Sequence, residues 1–181
     1  MKITETPLNG LFIIEPKVFG DARGYFYESF KLNLLEEAAG RPISFVQDNQ
    51  SKSAKNVLRG LHFQEPPYAQ GKLVKVTKGE VLDVAVDLRK NSPTYGKHFS
   101  IVLSDVNHLS LWVPEGFAHG FVSKFDDTIF TYKCTNYYNK ESENSIKWND
   151  EDLKIDWDCT NPLVSEKDEL AQRFSTFASQ F

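Results

Sequence analysis

The chain is poor in the residues that build disulfide scaffolds and metal sites. It has two cysteines and four histidines in 181 residues. Cys134 and Cys159 lie far apart and outside any CxxC pattern, so they make neither a disulfide framework nor a zinc site. They read as reduced structural thiols, which fits a cytoplasmic protein. No apolar run approaches the roughly 20 residues that span a bilayer. The opening Met1-Lys2-Ile3-Thr4-Glu5 lacks the apolar stretch of a secretory signal. Excess positive charge is also missing. A net charge of −4 speaks against general nucleic-acid binding and against an anionic membrane surface. There is no low-complexity segment, no long block of like charge and no short-period repeat.

Aromatic residues, by contrast, are plentiful, with 14 Phe and 7 Tyr, and 40% of the chain is hydrophobic. A chain of this length suits one domain with a full core, and residues 1–181 are read as such. Most of it alternates in the manner of strands. Leu73 to Thr77, a turn at Lys78-Gly79, and Val81 to Leu88 read as a hairpin. Phe99 to Leu103, Ser110 to Val113, Phe117 to Ser123 and Thr128 to Cys134 continue the pattern, separated by turn signals such as Asn91-Ser92-Pro93 and Pro114-Glu115-Gly116. Short strands at this spacing predict an all-β antiparallel sandwich or barrel.

Two helices are expected at the periphery. Leu32 to Ala39 ends at Gly40, a suitable C-cap. From Ser165 onward, Leu170, Phe174, Phe177, Ala178 and Phe181 fall near helical spacing and predict an apolar stripe packed on the body or on a partner. Ser165 followed by Asp168 matches a loose capping box, so the local reading of Asp168 is a helix cap.

The most informative stretch is Val57-Leu58-Arg59-Gly60-Leu61-His62-Phe63-Gln64. It puts a permanent cation and a titratable imidazole three positions apart in an apolar run. A regular strand would send Arg59 and His62 to opposite faces, but the glycine between them invites a bulge that re-aims one. Histidine suits proton transfer and arginine suits phosphate or an oxyanion. Taken alone, a histidine in an apolar strand is more often a hydrogen-bonded core residue.

Pro114-Glu115-Gly116-Phe117-Ala118-His119 resembles the second motif of the cupin barrels, PxGxxH. A metal-binding cupin also carries an HxH pair and a Glu in its first motif. Here that pair would be His62-Phe63-Gln64, and two imidazoles with a weak amide carbonyl make a poor site for zinc or iron. No metal is therefore expected.

Read in order, further motifs resemble the dTDP-4-dehydrorhamnose 3,5-epimerases of the cupin superfamily, from about residue 3 to about residue 170. They include Asp21-Ala22-Arg23-Gly24-Tyr25-Phe26-Tyr27-Glu28, Phe45-Val46-Gln47-Asp48-Asn49-Gln50-Ser51, the Val57–Gln64 stretch and Gln70-Gly71-Lys72-Leu73-Val74. Gly116 to Phe121, Tyr132 to Tyr138, Glu143 to Trp148 and Ser165-Glu166-Lys167-Asp168 complete the series. Asn56 stands where the family usually has glycine, and asparagine tolerates the positive φ of a turn.

The resemblance implies a cupin jelly roll with a few short helices, acting as a homodimer without a cofactor. It also implies a dTDP-linked 4-keto-6-deoxyhexose substrate epimerised at C3 and C5 through an enolate. By the same resemblance His62 is the base, Asp168 orients it, Lys72 stabilises the enolate oxygen and Tyr132 is the acid on the opposite face. Arg23, Arg59 and Lys167 would contact the pyrophosphate or the C4 oxygen. Glu28, Gln47, Asn49 and Glu143 would hydrogen-bond thymine or the sugars, Tyr138 would stack on the base, and His119 would line the sugar pocket. Asp83, on an inward strand face, would support His62 or His119, or else be a buried carboxylate with a basic neighbour. Asp48 and the Phe-rich end receive no role.

Three competing readings remain at this level. One is a relative acting at only C3 or C5, or a 3,4-ketoisomerase. Another is a noncatalytic nucleotide-sugar binding module, which would have no need of a base and an acid. The third is a metal-dependent cupin, against which Gln64 speaks.

Overall fold

Alternating apolar side chains give two antiparallel sheets whose inner faces meet. The computed structural model describes residues 1–181. Its elements in order are β1 (Lys2–Glu5), β2 (Phe12–Glu15), β3 (Val18–Asp21), β4 (Gly24–Tyr27), α1 (Leu32–Ala39), β5 (Gln47–Ser53) and β6 (Leu58–Gln64). They continue with β7 (Lys72–Lys78), β8 (Glu80–Asp87), β9 (His98–Ser104), β10 (Ser110–Val113), β11 (Phe117–Ser123), β12 (Thr128–Cys134), β13 (Glu143–Ser145) and α2 (Glu166–Glu169). A single 3-10 turn, Phe174–Thr176, follows. One sheet has the order β1-β2-β10-β7-β12-β5 and the other β13-β6-β11-β8-β9, while β3 and β4 form a separate two-stranded hairpin. This is the jelly-roll sandwich of the cupins.

Between the sheets, Val74, Val76, Leu111 and Phe130 of the first meet Val81, Ala85, Phe117 and Phe121 of the second. Burying each such side chain contributes about 1.5–3 kcal/mol. Two further clusters cover the outer faces, one as large as the core between the sheets and one half its size. Leu35 of α1 packs with Phe12, Ile43, Leu73 and Trp112 on the six-stranded sheet. Leu153, Trp157 and Phe177 pack with Leu58, Leu61 and Phe63 on the other.

Two expectations need correction. The strands β7 and β8 form as predicted, but they are not hairpin partners. β7 lies between β10 and β12, and β8 lies between β11 and β9 in the opposite sheet. Gly79, at φ +82°, turns the chain from one sheet to the other, and its N–H donates to Asp105 Oδ2 at 2.8 Å. Alternation marks a strand but carries no information about which neighbour it pairs with. The chain after Ser165 is also not a continuous helix. α-Helix is confined to Glu166–Glu169, Leu170 is 77% exposed, and Phe174, in the short 3-10 turn, and Phe177 and Phe181 beyond it pack on the outer face of the five-stranded sheet. α1 and its left-handed Gly40 cap, at φ +66°, are as expected, and Asn56 adopts φ +66°.

The bulge anticipated at Gly60 is present. Along β6 and β11, His62 pairs with His119, but Arg59 pairs with Phe121. Three steps on β6 thus match two on β11, and the extra residue brings Arg59 and His62 to the same face. The two strands touch closely there. A Cβ on Gly60, at φ +145°, would lie 2.6 Å from Gly120 Cα, and one on Gly120 would lie 2.8 Å from the Arg59 carbonyl oxygen. Gly60→Ala is therefore expected to lower stability by at least about 1–3 kcal/mol through backbone strain alone and to disorder the His62 setting. Thermal melting and turnover check this together. A variant that melts and reacts like the unaltered protein would contradict the assigned role of this contact.

Candidate active site

His62 and Tyr132 both point inward, from opposite sheets. His62 pairs with His119, which lies between the inward Phe117 and Phe121 on β11. Tyr132 lies two residues after the inward Phe130 on β12 and packs against the inter-sheet core. Both side chains therefore open into the same interior.

Asp168 comes to His62 from α2. Its Oδ1 is 2.5 Å from His62 Nε2, while its Oδ2 accepts a long 3.5 Å bond from the Gly60 N–H. The local cap reading is divided by the structure. Ser165 caps α2 through its Oγ, which accepts from the Asp168 N–H, and the Asp168 carboxylate turns inward instead. Asp168 is almost wholly buried. Burial pushes its pKa up, but the hydrogen bond and charge of His62, with the Ser165 and Gly60 contacts, hold it below the ordinary 3.8. A lowered carboxyl binds its proton less readily folded than unfolded. The resulting stability is present above the unfolded pKa and is lost only as pH falls through the folded value, below 3.8.

Lys72 stands on β7 directly across from Cys134 on β12. The residue is half-buried. Loss of hydration still pushes its amine pKa down from 10.5, against the opposing pull of Cys134, Glu143 and Asp83. Burial likewise pushes Tyr132 up from 10.0, and Arg59 pulls it partly back.

Arg59 is held by Ser53 Oγ at 3.2 Å and by the Lys52 carbonyl at 3.4 Å. Gln47 Nε2 donates to Asn49 Oδ1 at 3.0 Å, and Asn49 Nδ2 donates to Cys134 Sγ at 3.5 Å. At the rim the Tyr138 hydroxyl donates to Glu143 Oε2 at 2.9 Å, and Lys167 Nζ lies 2.5 Å from the same oxygen. Tyr138 presents its ring to solvent. His119 is buried, its Nε2 lying 3.0 and 2.9 Å from the two oxygens of Asp83. Of the two supports considered for Asp83, it serves His119 and not His62.

Arg23 and Glu28 do not join this group. The Arg23 side chain is 90% exposed and binds Asp21 within its own hairpin, and Glu28 pairs with Lys31 at 2.8 Å. Asp48, which the sequence left without a role, pairs with Lys133 on the outer face at 3.0 Å. A groove of about 420 Å³ also lies there, lined by Lys75, Thr77 and Thr131 with Asn49 and Tyr132 at its edge, and it includes none of His62, Asp168 and Lys72.

Gln64 is fully engaged in structure. Its Nε2 donates to the Tyr68 and Tyr137 carbonyls at 2.6 and 3.1 Å, and its Oε1 accepts from the Asn139 N–H at 2.7 Å. Its amide therefore braces two loops. No three His, Cys, Asp or Glu side chains cluster in a metal-holding arrangement.

Sequence reasoning passed over two interior groups. Cys134 lines the interior beside Lys72, detectable only as the position two beyond Tyr132 on one strand face. The Ser51 hydroxyl, on the Asn49 face of β5, is buried without a partner. An orphaned hydroxyl there is a ready contact for a sugar hydroxyl.

A jelly roll enclosing an imidazole–carboxylate pair, an opposing phenol and a dehydrated amine has the equipment of an acid–base isomerase in the cupin superfamily. Comparison with known proteins gives the particular family. The model of the dTDP-4-dehydrorhamnose 3,5-epimerases matches residues 5–176. A dTDP-4-dehydrorhamnose 3,5-epimerase of Shigella flexneri is 54% identical over 174 residues, covering 96% of each chain. The crystal structure of the enzyme of that name from Elizabethkingia anophelis superposes with a TM-score of 0.93 at 53% identity, over 97% of each chain. A dTDP-6-deoxy-D-glucose-3,5-epimerase from Legionella pneumophila, solved with dTDP-4-keto-L-rhamnose, gives 0.92 at 48% identity, over 98% of this chain and 94% of that one. The chain belongs to the dTDP-4-dehydrorhamnose 3,5-epimerase family.

Proposed function

We propose that this chain, acting as one catalytic domain, converts dTDP-4-dehydro-6-deoxy-D-glucose to dTDP-4-dehydro-L-rhamnose by inverting C3 and C5, in dTDP-L-rhamnose biosynthesis. The observation that carries the reading is the His62–Asp168 pair, on one sheet, with Tyr132 and Lys72 directed inward from the other. Hydrogens at C3 and C5 are both alpha to the C4 ketone. His62 takes one as a proton, and the C–H electron pair moves into the ring to give the enolate. Asp168 orients the imidazole and balances the imidazolium that forms. Charged Lys72 stabilises the developing negative charge on the C4 oxygen. Tyr132 then gives its proton to the carbon from the opposite face and recovers one from solvent, and His62 releases its own, so no net oxidation occurs.

Arg59, Lys167 and Glu143 would hold the diphosphate or sugars, with Gln47, Asn49 and His119 ordering the sugar and Tyr138 stacking on thymine. Arg23 and Glu28 are too occupied in their own segment to complete this site in cis. The β3–β4 hairpin that carries Arg23 exposes Phe19 and Phe26 to 51% and 68%, which supports a homodimer whose hairpins reach the partner's site. No helix is long and apolar enough to cross a membrane, and a cytoplasmic location completes the reading.

The purified protein, given dTDP-4-dehydro-6-deoxy-D-glucose, is expected to yield a product whose ring proton couplings report inversion at both centres. A product inverted at one centre points to a monofunctional epimerase, and a 3-keto product points to a ketoisomerase. The alkaline side of the rate profile carries a further expectation. Since charged Lys72 is required and its pKa is lowered, kcat/KM should fall at a pH below the ordinary lysine value of 10.5. A rate that holds steady up to that value would detach Lys72 from the reaction.

A further inference from the structure

The loop that carries Tyr138 is not held by its own backbone. Tyr137, Tyr138 and Asn139 lie outside every strand and helix, and none of the three makes a backbone–backbone hydrogen bond. Chain without such bonds opens readily unless something else secures it. Two glutamine side chains do so, one from each sheet. Gln47 on β5 accepts from the Tyr138 N–H at 3.0 Å. Gln64, the last residue of β6, donates to the Tyr137 carbonyl at 3.1 Å and accepts from the Asn139 N–H at 2.7 Å. Both peptide groups that flank the Tyr138 Cα are thereby pinned.

Gln64 is the more buried arm, at 4% exposure. Its second amide hydrogen goes to the Tyr68 carbonyl at 2.6 Å. Two carbonyls need the NH₂ and one N–H needs the oxygen, so a single orientation of the amide satisfies all three partners. The loop bearing Tyr68 is itself stitched to the Tyr138 loop. Gln70 Nε2 donates to the Asn136 carbonyl at 2.7 Å, and Asn136 Nδ2 donates to the Pro67 carbonyl at 3.3 Å. Directly across from Gln64 on β13 stands Glu143, which accepts from the Tyr138 hydroxyl at 2.9 Å. One strand pair therefore fixes this tyrosine at its backbone and at its tip, while 54% of the residue stays exposed.

We infer that Gln64 is a positioning residue for nucleotide recognition, whose buried amide sets the Tyr138 backbone so that the ring stands ready for a planar base before any ligand arrives. Ordering a contact group in advance removes that cost from binding. The inference rests on the proposed stacking of Tyr138 on thymine and adds what holds the ring in place.

Calorimetric titration with dTDP tests it on Gln64→Met, Tyr138→Ala and the double variant. Tyr138→Ala should weaken binding by about 5- to 150-fold, the usual worth of a base stacked on an aromatic ring. Gln64→Met should lose part of that factor, and in turnover should raise KM with kcat largely kept. The double variant should bind no worse than Tyr138→Ala, because Gln64 acts through that ring. Losses that multiply in the double variant, or a fall in kcat with KM unchanged, would mark Gln64 as structural only and overturn the inference. Nitrogen-15 relaxation of the unaltered protein gives a second measurement, independent of any variant's folding. The Tyr138 and Asn139 amides should be as ordered without dTDP as with it, at order parameters of about 0.85. A loop that becomes ordered only on binding would also overturn the inference. Failure of the underlying stacking is distinguishable, because Tyr138→Ala would then bind dTDP as the unaltered protein does, and the inference would fall with it.

Discussion

His62→Ala is expected to lose exchange at C3 and C5 together, by about 10²–10⁴-fold, the usual worth of a positioned general base. The loss should be in turnover and not in affinity for dTDP, since the groups proposed to grip the nucleotide, Arg59, Tyr138 and Lys167, stand on other contacts. Calorimetric titration with dTDP beside an NMR exchange assay separates the two. Full binding with no exchange supports the base. Full binding with undiminished exchange removes it, and the noncatalytic binding module is left only if the unaltered protein shows no exchange either.

Tyr132→Phe tests the other side of the ring. The base and Lys72 remain, so a proton can still be taken and returned on the His62 face. Inversion should fall by about 10²–10⁴-fold while solvent hydrogen still enters the recovered, uninverted substrate. The partition is more informative than the size of the loss. If inversion and wash-in fall equally, the phenol acts elsewhere than as the acid of the opposite face. The direction of its pKa favours the assigned role, because burial pushes it above 10.0 and so keeps the proton available.

Much of this site could be read locally. Alternation located β10, β11 and β12, and Gly60 signalled the bulge that puts Arg59 beside His62 on one face. What failed was information that no local window contains. The Lys78-Gly79 turn looks like a hairpin, yet its strands part into different sheets because their apolar faces must meet across the core. Phe174, Phe177 and Phe181 have helical spacing, but the flat outer face they cover is satisfied by a short 3-10 turn and irregular chain. Asp168 shows the limit most clearly. Three residues after Ser165 it has the look of a cap, but its partner His62 is 106 residues away. The family resemblance, and not the local pattern, pointed to that pairing. Arg23 and Glu28 show the reverse, since the resemblance groups them with the site while the folded chain pairs each within its own segment.

The most direct measurement is reaction in deuterated water with the product followed by NMR. Two-face proton exchange through an enolate predicts deuterium at both C3 and C5 of the dTDP-4-dehydro-L-rhamnose formed. Product carrying solvent hydrogen at only one of these carbons, or at neither, contradicts it.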